Sequence, residues 1–169
     1  MWEEIQDTFE KYPARLSIIS KMLELGLRIG EDKKIYCGDL KINDASLAKV
    51  ADVDRRAVKT TVNAILEDEK LSKLFKNIIP AGTSLKNIGQ ILGLGVIEIE
   101  AERNNPNYGI LAEASAVFAS KKIAIRQAHA DDYKTEKTPR LTIVTTTPIP
   151  GELINEFLKI NGVKRVSIS

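Results

Sequence analysis

One cysteine, Cys37, stands in the 169 residues, so no disulfide can form within the chain. A lone thiol fits a reducing compartment, and a cytoplasmic protein is expected. The single histidine, His129, is too few for the His- and Cys-rich sets that hold transition metals, so no metal site is expected. No apolar run approaches the ~20 residues that a membrane span needs, so no membrane partner is expected. The opening Met1-Trp-Glu-Glu-Ile5 lacks the basic-then-apolar pattern of a secretory signal. Charge of one sign is missing too: 25 Lys and Arg face 23 Asp and Glu, a net +2. The whole chain therefore exerts no strong pull on nucleic acid, and any DNA contact has to come from a local basic face. No nucleophile–base pair stands out. Gly89-x-x-x-Gly93-x-Gly95 precedes a strand pattern, whereas a dinucleotide loop follows one. Neither an enzyme nor a cofactor is expected.

What is present is an ordinary apolar complement, 43% of residues, enough for one medium core or two small ones. The first part is helical in pattern. Trp2, Ile5 and Phe9 recur at helical spacing and read as a core or dimer contact. From Pro13, the residues Leu16, Ile19, Leu23 and Leu27 make an apolar stripe that Gly30 ends. Residues 35–42 read as extended, with a turn at Gly38-Asp39. Helices follow at 45–51, capped by Asn43 or Asp44, at 55–67, capped by Asp54, and from Leu71 to Ile79. A last short helix carries Leu85, Ile88, Ile91 and Leu92, started by Thr83 or Ser84.

Past Gly95 the period changes. Ile97, Ile99 and Ala101 alternate with Glu98, Glu100 and Glu102, a half-buried strand. A helix over 108–121, strands at 123–129 and 141–147, a helix from Pro150 and a strand at 163–168 follow. The order β-α-β-β-α-β is the split βαβ arrangement of ferredoxin-like folds, four antiparallel strands with two helices on one face. The expectation is thus an α+β protein: a helical, helix-turn-helix-like domain over 1–94 and a ferredoxin-like domain over 95–169.

Two stretches carry functional signals. In Ser46 to Ile65, Ala48 is small where two helices would cross, and Leu47, Ala51, Val53, Val58 and Val62 would hold the pair on a core. Asp52 stands where a turn favours Gly, and Asp tolerates a left-handed backbone better than most residues. The second helix would turn Arg55, Arg56, Lys59, Thr60 and Asn63 outward, the residue types that reach base edges and phosphates in such modules. Asp44, Asp52 and Asp54 offset part of that charge. A small bundle with a solvated charged face, or a protein-binding use of it, fits the same residues.

The second stretch is Arg103-Asn-Asn-Pro-Asn-Tyr-Gly-Ile-Leu-Ala-Glu113. Amides at the start of its helix lack intrahelical partners, and with the helix dipole they favour an anion such as a carboxylate. Asn104, Asn105 and Asn107 add side-chain donors and acceptors, and Gly109 lets backbone approach a ligand. A capped turn explains the same residue types.

Residues 95–169 resemble an ACT domain, a small regulatory module that binds amino acids and related effectors. The resemblance rests on Gly95-Val-Ile-Glu-Ile-Glu-Ala101, on Tyr108-Gly-Ile-Leu-Ala-Glu113 and on Leu158 to Ile168. Such loops usually place Pro directly before the Gly, and here Pro106 is displaced upstream of Tyr108-Gly109. With its N-terminal part, the chain is similar to archaeal proteins described as regulators of amino-acid metabolism, which pair a helix-turn-helix-like region with an ACT domain. The resemblance implies an effector, an amino acid, held near Asn104, Asn105, Tyr108, Gly109, Ile110 and Leu111, with Arg126 and Gln127 from the next strand. It also implies a homodimer whose amino-acid binding alters DNA binding. The alternative is an amino-acid sensor that regulates a metabolic enzyme by contact, without DNA.

Overall fold

Three side chains set the rhythm of the first part of the chain by accepting a backbone N–H at the start of a helix. Asn43 accepts from Ser46, Asp54 from Arg56 and Asp68 from Leu71, at 2.7–2.9 Å. Each satisfies one of the amides that a helix start leaves unpartnered. The computed structural model describes residues 2–102, 109–132, 136 and 138–169, with side chains from Ile5 onward. It divides into two units, Met1–Gly82 and Thr83–Ser169.

In the first unit, α1 (Trp2–Phe9) and α2 (Pro13–Glu24) lead into strands β1 (Leu27–Ile29), β2 (Ile35–Cys37) and β3 (Leu40–Ile42). Helices α3 (Asp44–Val50), α4 (Arg55–Glu67) and α5 (Glu69–Asn77) complete it. The strands form an antiparallel sheet in the order β1-β2-β3. One core draws on every layer: Ile5 and Phe9 from α1, Ile18, Ile19 and Met22 from α2, Leu27, Ile29 and Ile35 from the strands, and Val58, Ile65 and Phe75 from α4 and α5. Ile5 and Phe9 therefore serve the core.

This unit is not purely helical, and the expected helix to Gly30 is corrected. The helix stops at Glu24, and Leu27 belongs to a strand. The cause is Gly26, at φ +63°, where a Cβ would lie 2.8 Å from the Pro80 Cα. Only Gly allows so close an approach with a left-handed backbone. Turning there frees Leu27 and Ile29 to pair with β2. Cys37 is half-buried rather than enclosed.

In the second unit, β4 (Gly95–Ala101), α6 (Ile110–Ser120), β5 (Ile125–Ala130), β6 (Arg140–Thr145), α7 (Ile154–Phe157) and β7 (Val163–Ile168) follow in the expected β-α-β-β-α-β order. The sheet runs β5-β6-β4-β7, antiparallel throughout. Ile97, Ile99, Leu141 and Ile143 bury one face against Ala114 and Phe118 of α6 and Phe157 of α7. The Phe118 and Phe157 rings lie 5.0 Å apart, tilted at 49°. The even positions Glu98 and Glu100 project to the other face, as strand alternation requires.

Between Thr83 and Gly95 the expected short helix is two 3-10 turns, Lys86–Ile88 and Gln90–Leu92. They pack onto the sheet, not away from it. Leu85 and Leu94 join Val96 and Val144 in a small cluster on the face opposite the helices. That packing draws residues 83–94 into the second unit, so the chain divides after Gly82 where the apolar pattern suggests residue 94.

Candidate functional sites

The α3–α4 pair is built from the turn outward. Ala51 closes α3, Asp52 takes a left-handed φ of +54°, and the Val53 N–H donates to the Ala48 carbonyl at 3.0 Å. Asp at that position meets the steric demand that Gly would otherwise meet. The Ser17 hydroxyl donates to the Ala51 carbonyl at 2.6 Å and ties the end of α3 to α2. Leu47, Ala48, Ala51, Val58 and Val62 are buried, with Val53 packed against them.

The opposite face of α4 presents Arg55, Arg56, Lys59, Thr60 and Asn63, all exposed. The Thr60 hydroxyl turns back to the Ala57 carbonyl at 3.0 Å. At the tip, the Asp54 carboxylate takes the Arg56 amide and places a negative charge at the helix start, which disfavours a phosphate there. Any contact with nucleic acid from this helix falls to its side chains. Arg and Asn suit base edges, and Lys suits phosphate.

Of the residues expected at the effector loop, Asn104, Asn105 and Tyr108 lie outside the described residues. Gly109 is the N-cap of α6 at φ +108°, and as a glycine it has no side chain with which to cap the helix. The first turn of α6 offers its amides with Glu113 as the acid nearby; its Oε1 lies 4.0 Å from where a Gly109 Cβ would stand. Ile110 packs onto the core, and Leu111 is exposed. Arg126 is exposed at a register shift between Ile125 and Gln127. Gln127 faces away from α6. Its Oε1 accepts the Leu85 amide at 2.8 Å, and its Nε2 donates to the Thr83 carbonyl at 2.8 Å. The structure thus sets Gly109, Ile110 and Leu111 together at one helix start and commits the Gln127 amide to the opposite face.

That opposite face carries a charge cluster that periodicity alone only hinted at, through the alternating Glu98 and Glu100. Glu98 Oε1 accepts from Lys86 Nζ at 2.6 Å and from Arg140 at 3.4 Å. The Lys86 hydrogen bond outweighs partial burial and, with Arg140, holds the Glu98 carboxyl below its ordinary range. Glu100 pairs with Lys164 at 3.4 Å and lies in register between Arg140 and Arg165. His129 and Asp131 approach at 3.6 Å near the edge. Among the described residues, no group of three His, Cys, Asp or Glu side chains could hold a metal ion, and no helix is long and apolar enough to cross a membrane.

No family model matches the chain, and no curated protein does. Among solved structures, it is similar to a transcriptional regulator from Neisseria meningitidis in complex with L-methionine. The identity is 12% and the TM-score 0.30, over 92% of this chain and 86% of that one. It is also similar to a transcriptional regulatory protein of the ASNC family from Pyrococcus furiosus, at 11% identity and a TM-score of 0.28, over 76% and 77% of the two chains. At that degree of overlap no residue correspondence follows.

Proposed function

We propose that this chain is an effector-responsive regulator, with a DNA-binding helix pair in the first unit and an amino-acid-sensing, ACT-like second unit. The observation that carries the reading is the α4 face. Five exposed polar and basic side chains stand on one side of a helix whose other side is buried, behind a left-handed turn. That is the form in which a helix-turn-helix offers a reading surface. The second unit supports the reading by its β-α-β-β-α-β order and by α6, whose N-cap is a glycine at φ +108°. In the proposal the effector's carboxylate meets the amides of that first turn, beside Leu111 and the Asn104, Asn105 and Tyr108 segment; Arg126 lies level with Gly95 at the other end of the sheet and is left out. A homodimer would present two α4 helices to a palindromic site.

The second reading, regulation of a metabolic enzyme by contact, is favoured by one observation. Ile88, Ile91 and Leu92 are exposed on the 3-10 segment, Ile91 by 83%, a patch suited to a protein partner. A shift of labelled duplex DNA at low salt, with and without the standard amino acids, separates the two. Retarded DNA whose retention falls with salt supports the first reading. Absence of retardation in every condition overturns it in favour of the second.

A further inference from the structure

The charged face of the second sheet holds a basin of about 420 Å³, within the ~300–1,000 Å³ range of small-molecule sites. Its walls include Lys86, Glu98, His129, Asp131, Arg140 and Thr142. They come from the first 3-10 turn, β4, β6 and the end of β5, and Glu136 and Thr138 of the connection between β5 and β6 add to the lining. Both signs of charge therefore line one concavity. A simple anion would meet Glu98, Asp131 and Glu136, and a simple cation would meet Lys86 and Arg140. A solute carrying both charges a few ångströms apart meets neither penalty.

We infer that this basin is a second binding site, for a zwitterionic solute of the free α-amino-acid class, distinct from the α6 start. The inference rests on the reading of the chain as amino-acid-responsive. The chemistry is an exchange of ion-pair partners. Glu98 Oε1 is shared by Lys86 and Arg140, and the Arg140 contact is long at 3.4 Å. A ligand carboxylate takes the Arg140 guanidinium, whose planar fork suits bidentate pairing. Glu98, relieved of Arg140, accepts the ligand ammonium. Thr142 lies opposite Glu98 in register and supplies a hydroxyl at the floor. Lys86 stands on the segment that begins the second unit, and Gln127 pins that segment at Thr83 and Leu85. Filling the basin therefore acts on the stretch of chain that leads in from the first unit.

The test is an amide spectrum of the isotope-labelled full chain, titrated with each standard amino acid in millimolar excess. The expected result is that one of them shifts the Leu85 amide, the Gln127 side-chain amide and the Thr142 amide. Arg140→Gln weakens that binding about tenfold or more, the loss expected of a charge-assisted hydrogen bond. Arg140 is exposed and its contact with Glu98 is long, so the variant lowers the melting temperature without ligand only slightly. Glu98→Gln removes the acceptor of the ligand ammonium and serves as an independent variant with the same expected direction. Shifts confined to Gly109–Ala112 overturn the basin and leave the effector reading standing. Shifts at Leu85 and Thr142 that persist at full strength in Arg140→Gln overturn it as well. No shift anywhere with any amino acid overturns both.

Discussion

Lys86 Nζ lies 2.6 Å from Glu98 Oε1, and this contact joins the segment that opens the second unit to the central strand of its sheet. Glu98 is three-quarters covered, with 24% of its side chain exposed, so the pair is only partly screened. Its carboxyl is held below the ordinary glutamate range by Lys86 first and Arg140 after. A depressed folded-state value means stabilisation that is fully present above the ordinary unfolded value and is lost as pH falls through the folded one. Acid titration of the second unit should therefore show a loss of stability that begins as pH falls into the ordinary glutamate range and is complete only below it. Glu98→Gln should remove that component and flatten the acid limb, which chemical denaturation at stepped pH will measure.

Asp52 holds a left-handed φ of +54° in the α3–α4 turn. Asp52→Gly relieves the backbone and should raise the melting temperature of the first unit slightly. Asp52→Val places a β-branched side chain where it is strongly disfavoured and should cost about 1–3 kcal/mol. Thermal unfolding of the pair reads the ordering, Gly above Asp above Val. Equal melting temperatures for all three contradict the turn assignment.

Phe118 and Phe157 meet at 5.0 Å in an apolar core, and no charged side chain is buried among the described residues. Phe118→Ala should destabilise the second unit by about 3–5 kcal/mol, the usual range for a buried aromatic truncation. Denaturant titration followed by circular dichroism checks it. The first unit, with its own core, should melt as before.

Arg55→Ala and Lys59→Ala remove cations from the outward face of α4 without touching its buried side. If α4 meets DNA, each weakens binding, and a lost phosphate contact lowers the salt slope by about 1. The measurement is anisotropy of labelled DNA across a salt series. Unchanged affinity and slope in both variants remove α4 from the interface.

Much of this architecture was legible from the residues. Asn43 and Asp54 announce α3 and α4 because caps act within a few residues of themselves. The alternation from Ile97 to Glu102 announces β4 and its two faces because the strand period is local as well. The failures share a physical cause. Gly26 ends α2 because Pro80 presses against it, a contact between residues far apart in sequence, and so β1 read as helix. Residues 85–92 carry helical spacing, yet Leu85 and Leu94 are drawn onto Val96 and Val144, and tertiary packing overrides the local period. The resemblance implies a ligand role for Gln127, and nothing nearby in sequence reveals its bonds to Thr83 and Leu85. The basin around Glu98 and Arg140 was equally hidden, since its walls come from separate segments that only the sheet brings together.

The account turns on coupling between an amino acid and DNA. The most direct measurement is calorimetric titration of an amino acid into the full chain, alone and saturated with duplex DNA. Linkage requires that whatever factor the amino acid applies to DNA affinity, DNA applies to amino-acid affinity. The predicted result is a dissociation constant that differs between the two titrations, by the same ratio that the amino acid imposes on the DNA midpoint. Identical constants in both titrations, or heat from neither, contradict it.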